Sequence, residues 1–178
     1  MRTIEFVTAL LLLPAGVVHA QDVRVPKNIE RLADKAVQTV NVTVDGTLLQ
    51  LAGKFLSPND PEQKAAKSII SSLKGIYVRS FEFAAPGGYS QADVESLRAE
   101  VKGPAWTKMA SVRSKKDGQD VDVFLKMEKE RIVELVVIAA QTTQLTFVNI
   151  VGPIDLEQLV SLSGQFGIPK LDLQRPPK

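Results

Sequence analysis

The chain has 178 residues, a formal net charge of +2, no cysteine and a single histidine, His19. That length suits one domain able to bury a real core, while the missing thiols exclude disulfides and cysteine nucleophiles. The charges are interspersed, with Lys115-Lys116 followed at once by Asp117 and Glu128-Lys129-Glu130-Arg131 alternating in sign, so the basic stripe interleaved with aromatics that marks a nucleic-acid binder is missing.

The amino terminus opens Met1-Arg2 and then runs apolar from Phe6 to Val18, broken by Thr8, Pro14 and Gly16. This run is too short for a membrane-spanning helix, which needs about 20 apolar residues. It matches the hydrophobic region of a secretory signal, and Val18-His19-Ala20 puts small residues where a signal peptidase reads them. Cleavage is expected after Ala20, giving a periplasmic or secreted protein. No cysteine follows the apolar run, so a lipid anchor at cysteine is excluded. Removal of residues 1–20 takes Arg2, Glu5 and His19 with it, which leaves the net charge at +2 and the mature chain without imidazole. That excludes a Ser-His-Asp triad, a Cys-His nucleophile, a zinc site of the usual kind and covalent haem.

Beyond Pro26, the residues Ile29, Leu32, Ala33 and Ala36 recur at helical spacing and predict a helix from Asn28 to about Val37. Val40 to Val44 alternates apolar and polar, a short half-exposed strand that Asp45-Gly46 ends. A second helix is expected from Thr47 to Leu56. Asp60, Pro61 and Gln63 then form a helix start, with Asp60 as the cap, for a helix carrying Ala65, Ala66, Ile69, Ile70 and Leu73 and stopped by Gly75. Ile76 to Phe83 reads as a strand and Pro86-Gly87-Gly88 as a loop. Ser90 with Asp93 caps a helix whose Val94, Leu97 and Val101 point inward, ended by Gly103-Pro104.

From Thr107 the pattern becomes an antiparallel meander. Thr107 to Ser114 meets a hairpin signal at Lys116-Asp117-Gly118. Asp120 to Lys126 follows, with Val121, Val123 and Leu125 on one face and Asp120, Asp122 and Lys126 on the other. Ile132 to Ala140 is nearly all apolar, the mark of a strand buried on both faces. Leu145 to Val151 is the last strand, broken by Gly152-Pro153. Asp155 caps a final helix bearing Leu156, Leu159 and Val160, and Gly164 to Pro169 is a loop expected to fold back on the body. Helices in the first half and strands in the second predict an α+β domain over residues 21–170, a largely antiparallel sheet with helices packed on one face. Residues 171–178 are expected to be a disordered tail.

Candidate sites each have a plainer reading. Asp120 and Asp122 share a strand face, as a carboxylate hydrolase would require, but a solvated edge is the commoner arrangement. Asn59-Asp60-Pro61-Glu62 offers oxygen ligands for calcium and is equally explained as a helix start. Ser68, Ser71 and Ser72 lie near Lys74, and Ser71 and Lys74 meet if both are helical; a lysine at a helix end is stabilising in any case. Tyr77, Arg79, Phe81 and Phe83 share one strand face that suits ligand binding or burial under a helix. Asn41-Val42-Thr43 matches the glycosylation pattern, and Trp106 is expected to anchor the core. No catalytic, cofactor-binding or metal-binding residue is nominated, and no cofactor is expected.

Several ordered blocks resemble one family of bacterial exported proteins, the domain of unknown function DUF4252. They are Leu73-Lys74-Gly75-Ile76-Tyr77-Val78-Arg79-Ser80-Phe81-Glu82-Phe83, Tyr89-Ser90 with Leu97, Gly103-Pro104 with Trp106, Val112-Arg113-Ser114-Lys115, and the stretch from Leu145 to Leu159. The similarity runs from about Ile29 to Pro169. It implies an exported or lipid-anchored protein with no established activity or catalytic residue, some members being encoded near extracytoplasmic sigma factors and their anti-sigma partners. The missing cysteine departs from the lipid-anchored members. The combined expectation is a non-enzymatic envelope module with a protein partner, linked to envelope stress. A carboxylate-based glycan hydrolase and a carrier for a small apolar ligand are the alternatives.

Overall fold

The computed structural model describes residues 23–57 and 59–155. The order is α1 (Lys27–Glu30), continued by a 3-10 turn (Arg31–Asp34), β1 (Gln38–Asp45), α2 (Gly46–Lys54), α3 (Pro61–Ser72), β2 (Gly75–Glu82), α4 (Gln91–Glu100), β3 (Trp106–Ser114), β4 (Gln119–Glu128), β5 (Arg131–Gln141) and β6 (Gln144–Ile154). The six strands form one sheet in the order β1-β2-β6-β5-β4-β3, and every neighbouring pair is antiparallel. The expected α+β class and four-strand meander are both present. β1 and β2, linked through α2 and α3, form an antiparallel pair that joins the meander beside β6.

Local chemistry accounts for most boundaries. Asp60 accepts from the Gln63 backbone N–H (3.2 Å) and side chain (3.1 Å), the capping arrangement read from the sequence. Ser90 and Asp93 form the reciprocal box at the start of α4. Asp45 ends β1 and also caps α2 by accepting from Leu48 N–H at 2.9 Å. Between β4 and β5 only Lys129 and Glu130 intervene, with φ of 47° and 65°. A two-residue hairpin loop needs positive φ to match the twist of its strands, even without glycine.

Some elements differ from expectation. The first helix yields to a 3-10 turn after four residues, because Ile29 and Leu32, at i and i+3, are the positions it buries. The last strand does not end at Gly152-Pro153 but runs on to Ile154. The ladder shifts register between Ile132 and Glu134, opposite the Gly152 region, and that irregularity absorbs the proline. The final helix from Asp155, the loop at 164–169 and the tail lie outside the described residues, as does the segment 1–20.

The helices, expected on one face, divide between the two. Register fixes this. Phe81, Phe83, Leu145, Phe147, Val136, Ile138, Ala140 and Phe124 share one face and form a core with Ile29, Leu32, Val94, Leu97 and Val101 from α1, its 3-10 turn and α4. Each large apolar side chain sealed here contributes about 1.5–3 kcal/mol. The opposite face offers Val44, Ile76, Ile150 and Ile154 to Leu49 of α2 and Ile69 and Leu73 of α3. Asn28 ties α1 to α4 through Asp93 Oδ1 at 2.9 Å.

Where β6 passes the end of α3, Gly152 has φ +136°, and a Cβ there would stand 2.7 Å from Leu73 Cα and 2.9 Å from the Lys74 nitrogen. Lys74 N–H donates to Val151 O at 2.7 Å across the same contact. Gly152→Ala is therefore expected to lower stability by roughly 2–4 kcal/mol, from backbone strain plus a clash with main chain. Chemical denaturation would reveal an unchanged midpoint if the close approach were not needed.

Candidate functional site

The densest group of charges lies between α4 and the outer strands. Alternation on β4 puts Asp120, Asp122, Phe124 and Lys126 on the face beneath α4, and Val94, Leu97 and Val101 seat the helix on it. Arg98, next to Leu97, is thereby carried over β4. Its Nε donates to Asp122 Oδ2 at 2.6 Å, its Nη1 to Glu95 at 2.7 Å, and its Nη2 lies 2.9 Å from Asp120 Oδ2. Nη2 is also 2.6 Å from Asp122 Oδ2, an ionic contact without hydrogen-bond alignment. Lys108 Nζ reaches Asp122 Oδ1 at 3.0 Å while standing 5.1 Å from the centre of the Phe124 ring. Arg113 holds Asp120 at 3.3 Å from the next strand.

Asp122 has 0% exposure and Arg98 6%. The expectation of a solvated edge is thus overturned: this face of β4 is inside, because α4 brings a guanidinium to neutralise it. Burial alone would raise the Asp122 carboxyl; hydrogen bonds from Ser111, Lys108 and Arg98, with the charge of Arg98, outweigh it and hold the group below the usual carboxylate range. Burial likewise opposes the charge of Arg98, but Asp120, Glu95 and Asp122 keep the guanidinium firmly protonated. A carboxylate held ionised in this way is no general acid. Glu82, a further carboxylate, lies on β2 on the other sheet face, three inter-strand spacings away, or about 14 Å.

The remaining sequence candidates separate. Asp60 is occupied as the α3 cap, and among the described residues no three carboxylates gather as a metal site would require. α3 ends at Ser72, before Lys74, so the helical spacing that would join Ser71 to Lys74 does not exist; Ser72 Oγ instead donates to Ile69 O at 2.7 Å. Tyr77, Arg79, Phe81 and Phe83 do share a face, yet Phe81 and Phe83 are core. Arg79 donates to Val42 O (3.1 Å) and Val78 O (2.9 Å), binding the edge strand to its neighbour. Trp106 packs against the main core, as expected. Near it on the same sheet face, Asn149 donates to Glu134 at 2.9 Å, and burial followed by Asp45 and Glu134 pushes the Tyr77 phenol up.

A surface that sequence reasoning missed lies on the opposite side. Ladder pairing lines up Val42, Val78, Val148, Val137, Val123 and Ala110 in one row across all six strands. All six are half-buried. The parallel row under α2 and α3 contains Leu125 and Leu135, each 7% exposed. The row beyond it ends at Val40, 38% exposed, and Val112, 56% exposed. Valine alternation on β1 and β4 was visible in the sequence; that these valines abut in one row with those of β2, β6 and β5 depends on strand order. A cavity of about 430 Å³ opens between Glu128, Lys129, Arg131, Val133 and Pro153, beside the β4–β5 turn and away from the helix-covered core.

The model of the family described as domain of unknown function (DUF4252) matches residues 33–162. The chain matches no curated protein and no solved structure. Among the described residues no helix is long and apolar enough to cross a membrane.

Replacing Arg98 by Met leaves Asp122 with Lys108 as its one cation and is expected to cost about 3–5 kcal/mol, whereas Arg98→Met with Asp122→Val recovers most of it. The folded-state pKa of Asp122 is depressed, so its contribution is present above the unfolded value near ~3.9 and is lost as pH falls through the folded one. Asp122→Asn should therefore flatten the acid limb of the stability profile, which equilibrium unfolding at graded pH would measure.

Proposed function

The chain belongs to the DUF4252 family, and on that premise we propose that it is an exported, non-enzymatic module of the bacterial envelope that binds a protein partner across its valine row. The observation that carries this reading is the row itself. A sheet face with apolar side chains on six adjacent strands, only one end of it beneath helices among the described residues, is the kind of patch soluble monomers rarely leave open. The charges support the same reading. Asp120 and Asp122 are occupied by Arg98, Lys108 and Arg113, and their work is structural.

The amino-terminal apolar run supports export, with processing after Ala20. The mature chain would then begin two residues before Val23, which is 2% exposed in the main core. Cleavage two residues upstream of a core side chain leaves the domain intact. Intact-mass measurement on protein from the envelope fraction is expected to show a chain beginning at Gln21. A chain retaining residues 1–20 would refute export by this route.

A photo-reactive residue in place of Val148, at the middle of the row, is expected to give one discrete adduct with an envelope protein in cells. The same probe at Lys116, in the β3–β4 turn, should give none. Equal labelling from both positions, or no adduct from Val148, would remove the support for this surface.

A further inference from the structure

The two edges of the sheet are built differently. β3 carries a register shift between Lys108 and Ala110 and the charges of Lys108 and Arg113, features that keep an edge strand from pairing with other chains. β1 has none of these. It pairs with β2 through eight consecutive positions without a shift, contains no proline, and is uncharged from Gln38 to Val44. Asp45, its one charged residue, is occupied as the α2 cap. Among the described residues β1 has a strand neighbour on one side only.

Its sequence is also symmetric. Thr39-Val40-Asn41-Val42-Thr43 reads the same in both directions. Two copies of β1 laid antiparallel about an axis at Asn41 place Val40 against the partner's Val42 and Thr39 against the partner's Thr43. Valines then meet on one face and threonines on the other, the like-with-like cross-strand pairing that stabilises a ladder. A two-fold axis needs such a self-complementary patch.

A second, independent feature lies beside it. Of the eight exposed large hydrophobics among the described residues, Val37, Val40, Leu48, Leu51 and Phe55 all fall in β1, its approach, and α2 with its C-cap. Leu48, Leu51 and Phe55, at i, i+3 and i+7, form one stripe, exposed by 49%, 50% and 81%. The opposite side of α2 faces α3: a Cβ on Gly53 would lie 3.5 Å from Ser71 Oγ. Because α3 packs on β6 and α2 on β1, the stripe turns away from the body toward the β1 side. In the antiparallel arrangement the start of α2 comes beside the amino-terminal end of the partner's β1, which brings the stripe next to the proposed seam.

We propose that β1 and the outer stripe of α2 form a two-fold homodimer interface, joining two sheets into one of twelve strands. The occupant is a second copy of this chain, because the palindrome is complementary to itself. The inference does not rest on the valine row, since a monomer would still bind a partner there.

The chain has no cysteine, which makes the test clean. Antiparallel neighbours lie about 4.5–5.5 Å apart at Cα, within reach of a disulfide. The purified chain should sediment as a concentration-dependent dimer. Asn41→Cys should cross-link to itself under mild oxidation, and Val112→Cys on the β3 edge should not. Asn41→Lys, which sets two lysines against each other at the axis, should sediment as a monomer that keeps the wild-type circular dichroism spectrum. Phe55→Ser should weaken the dimer by a separate contact. A monomer at every concentration overturns the proposal, as does cross-linking of Asn41→Cys no faster than of Val112→Cys, or a dimer that survives Asn41→Lys.

Discussion

A carboxylate sealed at 0% exposure on an inner sheet face constrains the rest of this fold. An unpaired charge in that position costs several kcal/mol, so whatever covers β4 must bring a cation. Apolar packing by Val94, Leu97 and Val101 is non-directional and would tolerate small slides and rotations of α4. The contact between Arg98 and Asp122 would not, because a guanidinium presents its donors in a fixed fork. The helix is thereby set in both rotation and position, and with it the inward face of the meander.

Once that face is committed, alternation decides the other. Val121, Val123 and Leu125 must point away from α4, and pairing aligns Val123 with Val137, Val148, Val78 and Val42. α2 and α3 pack at the end where β6 meets Gly152. They seal the isoleucines and leave the valine row half-covered. The contrast between the two faces follows from helix placement: among the described residues each face receives two helices, but α1 and α4 pack over one core while α2 and α3 pack on each other at one end.

The same logic separates the sheet edges. β3 has to carry Lys108 to Asp122 and Arg113 to Asp120, which gives that edge its charges. β1 has no such duty. Its neighbour Arg79 reaches across to Val42 O and holds the edge strand flat against β2, leaving its outer side uncharged and regular.

The features written within a few residues of one another were determined by the sequence alone. Capping at Asp60–Gln63 and Ser90–Asp93, the β3–β4 hairpin and the alternation of β4 all depend on neighbours at spacings of two to four, and they appear where those spacings put them. So did the family and the α+β class. What only the tertiary structure decided was which side of each alternating strand is inside. Asp122 reads as a surface residue because the arginine that buries it sits 24 positions earlier on a helix, where it resembles any solvent-facing cation. The position of β1 and β2 beside β6, the run of β6 past Pro153 and the joining of separate valines into one row were equally invisible. Each depends on contacts between segments far apart in the chain, and no local pattern records which segments will meet.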